Sequence, residues 1–300
     1  MTAVTTAQHI TLEYEDTGPR QAPPILLIMG LGGQLTFWPA EFCAELREHG
    51  YRIIRYDNRD IGLSSKITPQ RRYSLNKAVL ASLLHLKVSA PYTLNDMAQD
   101  AIGLLDALNL ESVHVVGVSM GGMISQILAG RYPSRVRSLT SIMSTTGNPK
   151  LPRPKFKYLK RLLTKPPATS REARIQYIVD TLKLIGSPAY PNEEQMLWDL
   201  VAFNYDRDYD PPGVARQFLA ILASGNRIEL LKSIRAPTLV IHGDADPLLH
   251  PAGGRDTAAN IPGAKLEIIE GMGHDLPIML VPRLVELIAS HIDKTQRTAA

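Results

Sequence analysis

The sequence predicts an α/β fold: a mostly parallel central sheet flanked by helices, with a block of helices inserted ahead of its last strands. Three observations carry this. Short, continuously apolar runs recur along the chain, as strands covered on both faces require. Segments of helical period fall between them. Residues from about 148 to 234 break the alternation, staying helical in pattern and rich in proline.

Taken in order, Ile10–Tyr14 alternates apolar and polar, which predicts an antiparallel edge strand at the start. Ile25–Met29 and Arg52–Tyr56 read as parallel strands, separated by a helix over Trp38–His49 that stops at Gly50. Thr93–Leu108 opens on Thr93-Leu94-Asn95-Asp96, a capping-box variant, and repeats Met97, Ile102, Leu105 and Leu108 at helical spacing. The strand Val113–Val118 then runs into a helix containing Met123–Ala129, followed by the strand Leu139–Met143. Pro152, Pro154, Pro166, Pro167, Pro188, Pro191, Pro211 and Pro212 cut the next stretch into short helices. Pro237–Ile241 and Leu266–Ile269 resume the sheet, and Leu280–Ile292, after Pro277, closes the chain as a helix. The expected division is a core of residues 1–147 and 235–300 and a helical cap of residues 148–234. Alternating strands and helices imply right-handed βαβ crossovers.

Bulk composition excludes several classes. The chain of 300 residues has 44% hydrophobic content and a net charge of +4, ordinary for one globular core with an inserted subdomain. Its basic residues concentrate at Lys150, Arg153, Lys155, Lys157, Lys160, Arg161 and Lys165, which reads as a solvated face. No nucleic-acid module accompanies them, so no nucleic-acid partner is expected. The lone Cys43, beside Phe42, Ala44 and Leu46, excludes an internal disulfide and reads as a core thiol. The N-terminal residues lack the pattern of a signal peptide and no run is long enough to span a bilayer, so a cytoplasmic protein without integral membrane association is expected.

The chemistry concentrates at Gly117-Val118-Ser119-Met120-Gly121, a G-x-S-x-G pattern between a strand and a helix. A serine at such a turn is held in strained geometry with its hydroxyl exposed above the sheet. Glycine is needed beside it because a Cβ would collide with the neighbouring strand and helix. An incidental serine in a glycine-rich turn is the competing reading. A serine hydroxyl needs a base, and the base an orienting acid. Open α/β sheets put such groups at the carboxyl ends of their strands. The strand ending in His242-Gly243-Asp244-Ala245-Asp246 and the later Gly271-Met272-Gly273-His274-Asp275 supply both. His274, flanked by glycine, is the expected base. Of the others, His242 reads as core, His250 lies too near the acid in sequence, and His9, His49, His85, His114 and His291 occupy ordinary surface or strand positions. Asp246 is the expected acid with Asp244 second, because a loop imposes no parity rule; Asp275 adjoins the base too closely. The oxyanion donors expected are the Met120 amide and the Leu31 amide of the loop Met29-Gly30-Leu31-Gly32-Gly33. That loop lacks the lysine and hydroxyl of a phosphate-binding loop.

These motifs, with Trp38, Asp57-Asn58-Arg59-Asp60-Ile61-Gly62-Leu63-Ser64 and Gly243-Asp244-Ala245-Asp246-Pro247, make the chain resemble the α/β-hydrolase family along nearly its whole length. The family's G-x-x-D arrangement picks out Asp246. Met29-Gly30 stands where most relatives carry His-Gly, and with Arg55 to Asp60 it resembles the aclacinomycin-methylesterase-like branch of carboxylesterases. The substitution leaves the backbone donor and removes a side chain that often braces the loop. The resemblance implies the α/β-hydrolase fold and a serine carboxylesterase acting on a small-molecule ester through an acyl-enzyme, with no metal and no organic cofactor. A homodimer is compatible with it. A cap carrying Tyr158, Leu162, Leu184, Tyr190, Met196, Leu197, Trp198 and Phe203 is expected over the site, each aromatic equally suited to cap core or pocket wall. The rivals on the same fold are a proline-iminopeptidase-like amidase, with Glu193 and Glu194 available to hold an amine, a lactonase or perhydrolase, and a non-catalytic ligand receptor. A haloalkane dehalogenase is disfavoured because its nucleophile is an aspartate.

Overall fold

The computed structural model describes residues 2–163 and 170–299. Eight strands among them form one sheet: β1 (Thr2–Thr5), β2 (Thr11–Thr17), β3 (Pro24–Ile28), β4 (Arg52–Tyr56), β5 (Val113–Val118), β6 (Val136–Ile142), β7 (Thr238–Gly243) and β8 (Lys265–Ile269). Their spatial order is β1-β2-β4-β3-β5-β6-β7-β8. The pairs β1–β2 and β2–β4 are antiparallel and the rest are parallel. The chain steps from β3 outward to β4 and returns on the other side of β3 with β5. The carboxyl ends of β3 and β5 therefore meet at the switch point, where open sheets of this kind place their sites.

The helices in chain order are α1 (Ala40–Glu48), α2 (Leu75–Leu83), α3 (Leu94–Ala107), α4 (Met120–Arg131), α5 (Phe156–Leu163), α6 (Arg171–Ile185), α7 (Glu194–Arg207), α8 (Pro211–Ser224), α9 (Ile228–Leu231), α10 (Ala252–Asn260) and α11 (Val281–Ala299). Strand side chains alternate between two apolar layers. Leu26, Ile28, Ile54 and Val115 face α3 and α4, packing on Met97, Leu104, Ile124 and Ile127. Ile25, Leu27, Ile53, Val116 and Ile241 face the other side with Phe42, Leu46, Leu284 and Ile288. All nine of these strand side chains are essentially solvent-free, which explains the apolar runs. Cys43 lies in the second layer, and burial pushes its thiol up.

Several expectations need correction. The strand expected at Ile10–Tyr14 is β2, which starts at Thr11 and is antiparallel as expected but is not the edge; β1 pairs along its outer side. Thr2-Ala3-Val4-Thr5 is short and largely exposed, so its sequence carries no burial pattern to announce a strand. The helix expected from Trp38 begins at Ala40, because Pro39 takes the extended cap position and Trp38 turns into the core. The capping box of α3 forms as read, with the Asp96 carboxylate accepting from the Thr93 N–H at 2.7 Å. The helices α5 to α9 all lie between β6 and β7. Lys165, Pro166, Pro167 and the side chain of Leu162 lie outside the described residues. Arg161 does more than face solvent: it lies over the Tyr177 ring at 3.6 Å and donates to the Thr181 hydroxyl, tying α5 to α6.

His114 on β5 is buried, with Nδ1 2.8 Å from the Ser138 hydroxyl. Burial first, then the charges of Arg137 and His291, push its pKa down to about 4 from an ordinary 6.5. Between those values the unfolded chain binds a proton that the folded chain refuses, so stability falls as pH drops through this window. The loss attributable to His114 is about 3 kcal/mol on going from pH 7 to 4. Denaturant titrations across that range should show a flatter pH dependence for His114→Gln than for the parent; parallel curves would refute this source.

Candidate active site

The turn from β5 into α4 is built on contacts that admit no side chain. A Cβ at Gly117 would stand 2.3 Å from the Gly121 carbonyl oxygen, and one at Gly121 would stand 2.0 Å from that of Ile28. Between them Ser119 takes φ +54° and ψ −117°, at the N-cap of α4. Its N–H donates to the Ile142 carbonyl at 2.9 Å, and the Ser144 hydroxyl donates to its carbonyl at 2.8 Å. The strained residue is thus fastened to the end of β6 through its N–H and to the turn after β6 through its carbonyl.

His274 approaches from the loop after β8. Its Nε2 lies 3.0 Å from Ser119 Oγ and its Nδ1 2.7 Å from Asp246 Oδ2. With a proton on Nδ1 for the carboxylate, Nε2 presents its lone pair to the hydroxyl. The glycine beside it has a packing reason as well: a Cβ at Gly273 would stand 2.2 Å from the Gly186 carbonyl. The His274 N–H donates to the Ile185 carbonyl at 2.8 Å, so the end of α6 supports this loop directly.

Asp246 is fully hydrogen-bonded. Its Oδ1 accepts from the Leu248 and Leu249 amides at 2.9 and 2.8 Å. Its Oδ2 meets His274 and also His242 Nε2 at 3.3 Å. Burial alone would raise this carboxyl. The His274 charge and the hydrogen bonds from both imidazoles outweigh it and hold Asp246 well below the ordinary range. Asp244 does something else, accepting the Gly271 N–H at 2.7 Å and so joining the ends of β7 and β8. Asp275 turns away from the ring: the Ser187 hydroxyl and Asn192 amide donate to its carboxylate, and burial raises its pKa despite them. His250 is exposed and accepts the Ala252 N–H.

The glycine-rich loop after β3 closes on the serine. A Cβ at Gly30 would lie 3.2 Å from Ser119 Cβ, so the loop that carries Leu31 comes up against the serine, and Met120 opens α4 directly after it. The bracing side chain that Met29 lacks is supplied from elsewhere. Asn58 donates to the Met29 carbonyl at 3.1 Å. Gln217 of α8 accepts the Gly32 N–H at 2.9 Å and donates to the Arg59 carbonyl at 2.8 Å. Gln217 and His242 were not expected here. Both are polar side chains that are fully buried, where such groups seek partners.

The run 57–60 fastens the inserted helices beside this loop. Asp57 accepts from the Leu35 and Leu63 amides and from Arg207 of α7, at 2.7, 2.9 and 2.6 Å. Asp60 takes a bidentate pair from Arg216 of α8 at 2.8 and 2.9 Å. Arg59 makes a bidentate pair with Asp100 of α3, both contacts 2.6 Å. Of the residues expected over the site, Leu197 is buried and Trp198 half-buried between α6 and α7, Tyr190 packs against the core, and Leu184 and Phe203 are exposed. Among the described residues no group of three His, Cys, Asp or Glu side chains is placed to hold a metal ion.

The family described as the alpha/beta hydrolase fold matches residues 23–278. Rhodomycin D methylesterase DauP of Streptomyces sp. (strain C5) is 31% identical, covering 97% of each chain. Rhodomycin D methylesterase DnrP of Streptomyces peucetius is 30% identical with the same coverage. The enol-lactonase of Burkholderia xenovorans LB400 superposes with a TM-score of 0.75 at 22% identity, over 97% of this chain and 100% of that one.

The Asp57–Arg207 pair is a test of this architecture, since Asp57 is solvent-free and Arg207 nearly so. Arg207→Ala leaves a buried carboxylate uncompensated and should cost about 3–5 kcal/mol in urea denaturation. A loss below about 1 kcal/mol is what a solvated surface pair would give.

Proposed function

This chain belongs to the α/β-hydrolase fold family, and within it we propose a serine carboxylesterase that cleaves small-molecule esters through an acyl-enzyme. The carrying observation is the continuous path from Asp246 Oδ2 through His274 to Ser119 Oγ, 2.7 and 3.0 Å long in its two steps. In this reading His274 Nε2 takes the hydroxyl proton as Ser119 Oγ attacks the ester carbonyl carbon. Asp246 holds the ring in the required tautomer and stabilises the imidazolium. The Leu31 and Met120 amides receive the oxyanion as the tetrahedral intermediate forms. Collapse breaks the ester C–O bond, and His274 returns its proton to the leaving alkoxide, which departs as the alcohol. Water then attacks the acyl-serine, giving its proton to Nε2, and a second collapse releases the acid and restores Ser119.

The relatives named as methylesterases make a methyl ester the first substrate class to try, with methanol as the leaving alcohol. We assign residues 148–234 as a cap that bounds the acyl pocket and residues 1–147 and 235–300 as the catalytic core. Gln217 acts here as a positioning residue. It fixes Gly32, one residue beyond the Leu31 donor, and so sets the donor's aim without touching the substrate.

p-Nitrophenyl esters from acetate to palmitate test the reading, and turnover should vanish in Ser119→Ala. Turnover of no ester, or turnover that survives that change, refutes it. Asp246→Asn should lower kcat by about 10⁴ through the wrong imidazole tautomer. Asp244→Asn should lower it by no more than a few-fold, since its carboxylate serves the Gly271 amide; a larger loss at Asp244 reverses the assignment. Gln217→Leu should reduce kcat about 10- to 100-fold with KM little changed, the signature of a misaimed oxyanion donor. A rise in KM alone would place Gln217 in the pocket wall instead.

A further inference from the structure

Helix α2 and the turn after it are apolar on two opposite sides. The inner side, Leu75, Ala78 and Ala81, packs with Val88 against Leu219, Leu222 and Ala223 of α8. The outer side carries Leu80, Leu83 and Leu84, and Leu86 follows in the turn. These four side chains are 43–61% exposed, half of the large exposed hydrophobics among the described residues. Positions 80, 83 and 84 stand at i, i+3 and i+4 and so share one face. A surface helix normally sets a polar face to water, and a helix apolar on both faces has a second surface to cover.

The charge around this face is of one sign. No aspartate or glutamate occurs from Ile61 to Asn95, while Arg71, Arg72, Lys77 and Lys87 all lie exposed there. The element packed beneath, α8, contributes no acid either, and its one arginine, Arg216, is engaged by Asp60. Lys77 stands at i−3 from Leu80 and i−7 from Leu84, bordering the leucine stripe, where its aliphatic stem can lie along the apolar surface with the ammonium at the rim.

We propose that this face docks peripherally on an anionic phospholipid surface. The leucines enter the acyl boundary, and the four cations sit at the headgroup level. An isolated leucine patch would equally suit a second copy of the chain. A two-fold contact would set each acid-free cationic patch against its own copy, so like charges oppose that occupant. An anionic bilayer meets both the charge and the apolar stripe. The attachment is interfacial: no described helix is long and apolar enough to cross a membrane. Docking would hold the protein where lipophilic esters partition.

The test is flotation with vesicles of phosphatidylcholine alone or with about one third phosphatidylglycerol. The wild-type protein should float with the anionic vesicles and stay behind with the zwitterionic ones. Binding should weaken on raising NaCl from about 0.1 to about 0.5 M. Leu83→Glu/Leu84→Glu and, separately, Arg71→Glu/Arg72→Glu should each reduce partitioning roughly tenfold or more. Leu83, Leu84, Arg71 and Arg72 are all exposed, so thermal unfolding of the variants should match the parent and separate lost docking from lost folding. Absence of flotation, equal binding to both vesicle types, or undiminished binding in both variants overturns the proposal. So does a dimer in light scattering that Leu83→Glu/Leu84→Glu splits, which would make the second copy the occupant.

Discussion

The site depends on one turn, the passage from β5 into α4 at Ser119. A non-glycine residue at φ +54° sits in a backbone region that costs on the order of 1–3 kcal/mol. The surroundings leave it no alternative. Gly117 and Gly121 let the helix start press onto the sheet until only a hydrogen atom fits at either position. The Ile142 carbonyl and Ser144 hydroxyl then take up the serine's own amide and carbonyl. Parallel pairing of β3 with β5, Ile28 beside Gly117, brings the next loop within touching distance of the serine. The strained turn therefore raises the hydroxyl out of the sheet, and the β3–β5 register brings the neighbouring loop to it.

A second layer of order comes from charge at the carboxyl end of β4. Asp57, Asn58, Arg59 and Asp60 each send their side chain to a different element: α7, the Met29 carbonyl, α3 and α8. Buried ion pairs recover at best part of their desolvation cost, so these pairs are poor sources of net stability. Their consequence is geometric. A bidentate arginine fixes distance and angle together, which an apolar contact between the same helices would leave loose.

Much of this was legible in the sequence because the turn has chemical requirements that few residues meet. The strands at 52–56 and 113–118 were readable from their doubly buried apolar runs. The serine was readable from glycine at two fixed offsets. Asp246 was the expected acid, with Asp244 second and the family resemblance favouring Asp246; its carboxylate accepts two backbone amides and faces two imidazoles, none of which a loop sequence announces. What stayed hidden has a common cause: the partner lies far away in sequence. Gln217 reaches Gly32 across 185 positions, and Ser187 reaches Asp275 across 88. The local pattern of α8 is that of any amphipathic helix, and only the oddity of a glutamine in Arg216-Gln217-Phe218-Leu219 hinted at a buried partner. β1 was missed for the opposite reason, since an exposed four-residue edge strand buries too little to leave a pattern.

These long-range contacts bear on how the site can admit a substrate. If the inserted helices moved away together, α8 would draw Gln217 off the Gly32 amide and Arg216 off Asp60. The end of α6 would release the His274 amide, and the segment after it would release Asp275, in the same motion. In the proposed mechanism those are the oxyanion loop and the base, so a wholesale opening would take the site apart each time it let a molecule in. Helices α7 and α8 and the 185–192 segment are better regarded as walls of the site. The start of α6 is held to these walls too: Arg171 makes a bidentate pair with Asp206 of α7, and Ile175 and Val179 pack with Leu197 and Val201. In the proposed mechanism these walls would set the shape of the acyl group accepted.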